Sequence, residues 1–303
     1  MLAVEQILNG LQFGVMLFLL AAGLTLVFGI MGLLNLAQGS LYMIGAYIAA
    51  YTLKVVGSFV IAAVAGIAAA AAIGMILEYV VMRRLYTRSH LDQILATYGL
   101  ILFFNEGTTI LFGRQPLFVD VPPWLDGSIQ LLPGMPYSTY RLLVMAIGLV
   151  VAGGLYGLIG YTRIGMLIRA GSTHREMVRA MGVRIRMLYT IVFGLGALLA
   201  GLAGVIAAPL FVVQIGMGEQ ILILTFVVMI IGGVGSVRGA LVGAIIVGVV
   251  DTLTRAYIPE FLRAIADPSS ADSIGAGLSS MGVYILMAAV LLWRPRGLLG
   301  DTL

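Results

Sequence analysis

The side chains that could contact a solute are mostly neutral hydrogen-bonding groups set in apolar sequence. Asn35, Gln38 and Ser40 follow an uncharged run long enough to cross a bilayer, and Ser236 lies in a second break between apolar runs. Non-helical polar sequence at membrane depth is tolerated only where it is buried in protein or lines a water-filled cavity. We therefore predict that these residues, together with Gly39, border a path for a solute.

Three residues of a later apolar run, Thr97, Tyr98 and Asn105, are weaker candidates for the same path. Amide and hydroxyl groups suit a zwitterion with a hydrocarbon tail, because they can pair transiently with its ammonium and carboxylate. Helix N-termini in the breaks would favour the carboxylate. The alternative, which the sequence leaves open, is that Asn35 and Gln38 only satisfy the backbone of a broken helix.

Carboxylates near the apolar runs are the remaining groups that could take part in proton transfer or bind a charged solute. An intramembrane carboxylate is a functional candidate by default, so Glu106 is a candidate proton relay or ammonium contact. Asp251 and Arg255 are one helical turn apart, which predicts an ion pair at a helix end near the interface. Glu78 is close enough to Arg83 to reach the cytoplasmic surface, and we assign it no special role.

The sequence lacks the residues that several other classes of function require. The chain has no cysteine and two histidines, which excludes thiolate metal sites and leaves little for a histidine cage. It has no phosphate-binding loop and one lysine, Lys54, so ATP hydrolysis must come from a partner if transport is active. The H-E-x-x-H and G-x-S-x-G motifs of an intramembrane enzyme are also missing.

The composition is that of a membrane protein. Of 303 residues, 61% are hydrophobic and 10% are charged, against roughly a quarter charged in soluble domains. We predict an all-α, polytopic transmembrane bundle, a single domain over residues 1–303, whose first apolar run is retained as a span. Nine spans are expected, at Gln6–Phe28, Gly39–Val56, Ser58–Met82, Leu91–Phe112, Tyr140–Gly160, Leu188–Val213, Gly218–Gly235, Gly239–Thr254 and Gly277–Trp293.

Two glycine-rich breaks, at residues 29–40 and 232–239, can each hold a short half-helix, so the number of spans is expected to be eight to ten. The two breaks share a weak pattern of glycines and polar residues before an apolar run. Discontinuous helices in matching positions of two similar halves are typical of transporters, with the solute path between them. We therefore predict two pseudo-repeated halves.

Arginine placement predicts the orientation in the membrane. Arginines cluster at residues 83–88, 163–186 and 294–296, and the positive-inside rule places such clusters in the cytoplasm. Two spans separate the first two clusters and four separate the last two, so all three can lie on one side. The N-terminus is then outside, the C-terminus is cytoplasmic, and the proline-rich loop at residues 113–139 is extracytoplasmic.

The segment at about residues 162–187 is too polar to cross a membrane. It carries six arginines and predicts an amphipathic cytoplasmic helix, with Thr173 as its N-cap and Gly182 at its end. His174 within it is expected to be solvated. Such a helix can lie on anionic lipid or dock onto another protein.

Four stretches of the sequence carry a family resemblance. They are GLTLVFGIMGLLNLAQGSLYMIGAY (23–47), RAGSTHREMVRAMGV (169–183), GLGALLAGLAGVIAAP (194–209) and GGVGSVRGALVGA (232–244). Together they resemble the LivH-type permease of bacterial branched-chain amino acid ABC importers. The resemblance implies an inner-membrane permease for leucine, isoleucine, valine or similar neutral amino acids. It also implies a homologous LivM-type permease, two ATP-binding subunits of LivG/LivF type that bind ATP-Mg, and an extracytoplasmic solute-binding protein as partners.

The resemblance also implies a docking signature for the ATPase. Many such permeases carry a cytoplasmic motif that begins Glu-Ala-Ala and has a glycine six residues after the glutamate. Glu176 and Gly182 match this spacing, whereas Met177 and Val178 replace the alanines. The coupling residues predicted on this basis are Arg175, Glu176, Arg179 and Gly182.

The sequence leaves the cargo and the energy source open. Relatives in this permease group also handle urea and short amides. An ion-coupled secondary transporter or channel, a different class, could use the same broken helices with Glu106 or Asp251 as the coupling group. We expect no nucleic acid partner, since the basic residues lie beside apolar spans and face membrane lipid.

Overall fold

The fold is a bundle of helices with one small hairpin. The computed structural model describes residues 2–86, 88–132, 134–173, 175–264 and 268–300. The helices are α1 (Leu2–Met31), α2 (Gln38–Val56), α3 (Phe59–Leu77), α4 (Arg83–Leu85), α5 (His90–Phe112), α6 (Thr139–Tyr161), α7 (Arg163–Thr173), α8 (Arg175–Ala180), α9 (Ile185–Ala207), α10 (Met217–Gly232), α11 (Val237–Arg263) and α12 (Pro268–Trp293). A π-helical turn, Glu78–Met82, joins α3 to α4, and strands β1 (Ser128–Leu132) and β2 (Met135–Ser138) form an antiparallel hairpin.

Eight helical segments of the described chain are long and apolar enough to cross a membrane. They are α1, α2, the run from α3 to α4, α5, α6, α9, α11 and the part of α12 from Ile274. Helix α10 is apolar but has only 16 residues, which is about 24 Å of helix against a hydrocarbon core of about 30 Å. The structure therefore confirms the all-α polytopic fold. In the described part of the chain, the eight long segments and the shorter α10 lie where the nine spans were expected, although α10 is too short to cross the hydrocarbon core alone.

The structure moves several expected boundaries, among them the ends of α1 and α11. Helix α1 continues through Gly29 to Met31, so the first break is the turn at residues 32–37. Helix α11 was expected to end at Thr254 but runs on to Arg263 with Pro259 inside it. Both expectations used the end of an apolar run as the end of a helix, and a buried helix can extend beyond its apolar part.

The centre of the bundle is α1, which packs against α9, α10 and α11, while α2 packs between α3 and α9. Within the apolar stretch of α1, 83% of the residues are buried, against 17% for α5, α6 and α12. The central helices approach closely: a Cβ atom on Gly45 of α2 would lie 2.7 Å from the Cα atom of Gly201 of α9. Small residues thus bring the backbones of the core helices together.

The three arginine clusters share one end of the bundle. Arg83 donates a hydrogen bond to Thr190 near the start of α9, and the amide of Leu298 donates to Ile231 at the end of α10. We name this the arginine end. At the opposite end, Leu117 pairs with Val213 and the β-hairpin precedes α6. We name this the loop end. The arrangement agrees with the predicted four crossings between the last two clusters when α10 is counted together with α9, α11 and α12.

Candidate translocation pathway and coupling segment

Asn35 and Gln38 lie at the turn between α1 and α2, and both are fully buried. The Asn35 Oδ1 atom accepts a hydrogen bond from the Ala37 amide at 3.1 Å, and its Nδ2 donates to the Gln38 Oε1 at 3.4 Å. The Gln38 Nε2 donates to the Gly196 carbonyl of α9 at 2.8 Å. The two amides therefore satisfy the turn and attach it to α9, and neither borders either of the two cavities described below.

Gly39 and Ser40 begin α2 inside the bundle, where its first turn meets the first turn of α10. The backbone of Gly218 faces them so closely that a Cβ on Gly218 would lie 3.2 Å from the Ser40 amide nitrogen. Helix α2 runs from here towards the loop end and α10 towards the arginine end, so two positive helix N-termini lie together. Glu219, in the first turn of α10, accepts a hydrogen bond from Asn105 of α5.

The other candidates on α5 are spread around that helix. Thr97 is buried and its Oγ1 donates to the Gln93 carbonyl one turn earlier at 2.9 Å. Tyr98 is 52% exposed, and Glu106 is exposed as well. None of these residues borders the two cavities described next.

A cavity of ≈ 470 Å³ lies at the arginine end between α1, α6, α7 and the start of α11. Ser236 borders it and caps α11, because its Oγ accepts a hydrogen bond from the Gly239 amide at 3.1 Å. Thr25 of α1 also borders it, with a buried hydroxyl that has no partner among the described residues. The Arg238 guanidinium lies 4.9 Å from the centre of the Tyr156 ring. The cavity thus combines apolar walls with two hydroxyls, of Thr25 and Ser236, and two arginines, Arg169 and Arg238.

A second cavity, of ≈ 670 Å³, lies at the loop end between α1, α10, α11 and α12. Its amide side chains are Gln6, Asn9, Gln12, Gln214 and Gln220, and its charged side chains are Arg141, Asp251 and Arg255. Its apolar walls include Phe13, Phe211, Val212, Ile221 and Leu224. We name it the loop-end cavity; the sequence did not predict it, although amides three residues apart on α1 mark one face of that helix.

Asp251 lies in the middle of α11 and is only 4% exposed. Its Oδ2 accepts a hydrogen bond from the Arg255 Nε at 2.8 Å, which confirms the predicted ion pair. Its Oδ1 is buried and has no partner in the described part of the chain. The expected location at a helix end is wrong, because α11 continues to Arg263.

Glu78 begins the π-helical turn and is fully buried. Its two oxygens accept hydrogen bonds from Arg83 Nε at 3.1 and 3.3 Å, from the Tyr86 hydroxyl at 2.7 Å and from Thr190 Oγ1 at 2.6 Å. Burial and the bond to Glu78 raise the pKa of Tyr86, which keeps this hydroxyl protonated as a donor. The expectation that Glu78 reaches the surface is wrong, since α9 covers it.

The segment expected to couple to an ATPase forms two short helices, α7 and α8, at the arginine end. Thr173 ends α7 instead of capping the next helix, and His174 lies outside the described residues. The backbone of Arg175, Glu176 and Arg179 lies in α8, and the description of these three residues stops at their backbone. Helix α7 contacts α1, α6 and α9.

Helix α8 turns an apolar edge outwards. Val178 is buried, whereas Met177 is 63% and Met181 is 78% exposed. Gly182 follows the helix with φ of 81°, as predicted for the residue that ends it, because glycine adopts left-handed backbone without strain. Met177 and Met181 are four residues apart and together form an exposed apolar edge.

Comparison with known proteins points to one family. The model of the family described as branched-chain amino acid transport system, permease component, matches residues 6–292. The chain is 27% identical to the high-affinity branched-chain amino acid transport system permease protein BraD of Pseudomonas aeruginosa, over 98% of this chain and 95% of that protein. It is 26% identical to the corresponding permease protein LivH of Escherichia coli K12, with the same coverage. It is 27% identical to the ribose import permease protein RbsC of Escherichia coli K12, over 81% of this chain and 76% of that protein. No solved structure matches the chain.

Proposed function

The chain belongs to the family of permease components of branched-chain amino acid transport systems, and we propose on this premise that it forms one half of the translocation pathway of an ABC importer. The family match over residues 6–292 carries the proposal, and the eight membrane-spanning segments agree with it. The chain is a transport subunit of the inner membrane. Its cargo is a branched-chain or other neutral amino acid.

The two ends of the bundle support a proposed arrangement of the partners. The positive-inside rule assigns the arginine end to the cytoplasm, the N-terminus to the outside and the C-terminus to the cytoplasm. ATP-Mg is bound by two ATPase subunits of LivG/LivF type, one of which docks on α8. A homologous LivM-type permease completes the pathway, and an extracytoplasmic solute-binding protein delivers the amino acid to the loop end.

The two cavities mark the entrance and the exit of the path in this subunit. Both border α1 and α11, one at each end. Between them the helices meet backbone to backbone, since a Cβ on Gly14 would lie 2.7 Å from the Ala244 carbonyl oxygen. Ser236 contacts solute at the arginine-end cavity, while Asn35 and Gln38 hold the turn beside it. Gly39, Ser40, Thr97 and Tyr98 complete the set of proposed pathway residues.

The experiment that tests this function asks whether ATP drives uptake through this chain. The complete importer is reconstituted in proteoliposomes, and uptake of labelled leucine is followed with and without ATP on the ATPase side. Glu176→Arg reverses a charge in α8 and is expected to lower ATP-dependent uptake at least tenfold. Loss of an exposed ion pair alone would cost only about 0 to 1 kcal/mol. The tenfold loss of uptake is expected because the reversed charge also repels the surface onto which α8 docks.

Glu260→Arg is the matched control, because Glu260 is an exposed carboxylate at the other end of the bundle. This control is expected to retain uptake, and both variants are expected to assemble in the membrane. Uptake that ignores ATP and follows a proton or sodium gradient would overturn the proposal in favour of an ion-coupled transporter.

A further inference from the structure

Asp251 is a buried carboxylate with half of its hydrogen-bonding capacity unused. Arg255 satisfies one oxygen, and the other has no partner among the described residues, although the side chain lies in the wall of the loop-end cavity. Buried polar atoms are almost always paired, and an unpaired one costs free energy. A cationic group entering the cavity from the loop end would supply the missing partner.

The positive charges of the cavity lie next to this carboxylate. Arg255 is one helical turn from Asp251, its side chain is 56% exposed, and it borders the same cavity. Arg141 borders the same cavity and donates a hydrogen bond to Asn9. One carboxylate and one guanidinium side by side match the ammonium and carboxylate of an α-amino acid.

The remaining wall suits a hydrocarbon side chain. The rings of Phe13 and Phe211 are 6.3 Å apart, and Leu224 lies on the same cavity. Apolar walls with a few convergent polar groups are typical of small-molecule sites, and ≈ 670 Å³ falls within their usual size. A polar end and an apolar wall in one cavity fit an amino acid with an aliphatic side chain.

We propose that the loop-end cavity is a binding site of the permease for the amino acid, whose ammonium binds Asp251 and whose carboxylate binds Arg255. The proposal rests on the proposed function, because it takes a neutral amino acid as the cargo. Binding opens the Asp251–Arg255 pair and replaces it by two pairs with the ligand. The permease thereby checks both charged groups of the amino acid after the solute-binding protein has released it.

Binding is tested on the complete transporter in nanodiscs without the solute-binding protein. Labelled leucine is titrated, with 3-methylbutylamine and 4-methylpentanoate as competitors that lack the carboxylate and the ammonium respectively. The amine is expected to compete better than the acid. Asp251→Asn is expected to raise the Kd for leucine about tenfold or more, as for loss of one charge-assisted hydrogen bond, and Glu260→Gln on the same helix is expected to leave it unchanged.

Arg255→Gln is the second variant. It distinguishes a loss of ligand contacts from a folding defect in Asp251→Asn. It is expected to weaken leucine binding but to strengthen competition by the amine, because Asp251 then has no internal competitor. A purely structural role for the pair would not produce this opposite change.

Absence of saturable leucine binding, or equal Kd values for wild type and Asp251→Asn, would overturn the site even if uptake proves ATP-dependent. If Asp251→Asn lost the stimulation of transport by the solute-binding protein but kept its leucine binding, the cavity would be a protein-docking surface instead. Saturable, Asp251-dependent binding together with ATP-independent uptake would keep the site and overturn the importer.

Discussion

Two buried carboxylates lie at opposite ends of this bundle, and their surroundings differ. Glu78, at the arginine end, has four hydrogen bonds over its two oxygens from Arg83, Tyr86 and Thr190. Asp251, at the loop end, has one bond from Arg255, and its other oxygen is unpaired within the described chain. Glu78 therefore belongs to a closed network, in which every partner of the carboxylate lies within the protein. Asp251 instead has an oxygen that is open to a partner from outside the described chain.

This difference in hydrogen bonding indicates that the two buried carboxylates have different roles. A carboxylate whose partners are all internal fixes the structure around it, and losing one partner leaves the others buried without compensation. Glu78 in this way holds the π-helical turn against the start of α9, which α7 and α8 also contact. A carboxylate that borders a cavity with an unused oxygen contributes less to stability and is available to a ligand.

The largest effect that tests this comparison is expected from Glu78→Gln. Glutamine keeps one acceptor oxygen but replaces the other with an NH2 donor. Arg83, Tyr86 and Thr190 therefore lose the negative charge and one of their two acceptor oxygens at a site that is fully buried. We expect a loss of about 3 kcal/mol in the free energy of unfolding, measured on the purified chain in mixed micelles. Glu106→Gln, on an exposed carboxylate, is the control and is expected to change stability by less than about 0.5 kcal/mol. Equal stability of the two variants would contradict a structural role for Glu78.

An intermediate effect is expected from Tyr86→Phe. The substitution removes the hydroxyl that donates to Glu78 at 2.7 Å but keeps the ring, which packs 5.1 Å from the ring of Tyr189. A hydrogen bond to a charged group contributes about 1.5 kcal/mol or more, so we expect a loss of about 1.5 kcal/mol in the same assay. Tyr161→Phe, on a tyrosine that is 83% exposed, is expected to be neutral. A neutral Tyr86→Phe would mean that this bond is not part of a closed network.

For both carboxylates, the sequence predicted the neighbouring arginine that lies four or five residues further along the chain. The spacing of Asp251 and Arg255 gave their ion pair, because residues one turn apart share a helix face. The spacing of Glu78 and Arg83 placed them near each other as well. The distant neighbours were beyond reach: Thr190 covers Glu78 from another helix, and the depth of Asp251 depends on how α11 packs against α1.

The same limit applies to the fold and to the candidate pathway. Apolar runs predicted the presence of every long helix, but some ends differ: α11 extends to Arg263, α12 begins at Pro268 instead of Gly277, and α9 ends at Ala207 instead of Val213. The polar residues of the first break were found because they interrupt such a run, yet the hydrogen bond from Gln38 to Gly196 depends on the packing of α9. The loop-end cavity gathers side chains from several helices, each of which is unremarkable in its own segment.

The smallest effect, and the sharpest test of the comparison, is expected from the stability of Asp251→Asn. The amide side chain retains an oxygen that can accept from Arg255, and an i,i+4 pair with an exposed partner contributes only about 0.3 to 0.5 kcal/mol. Neutralisation also removes the buried charge on an oxygen that has no partner in the described chain. We therefore expect the free energy of unfolding in the mixed-micelle assay to change by no more than about 0.5 kcal/mol, although leucine binding weakens. A loss as large as that of Glu78→Gln would show that Asp251 also belongs to a closed network, because only a residue whose partners are all internal would leave them uncompensated.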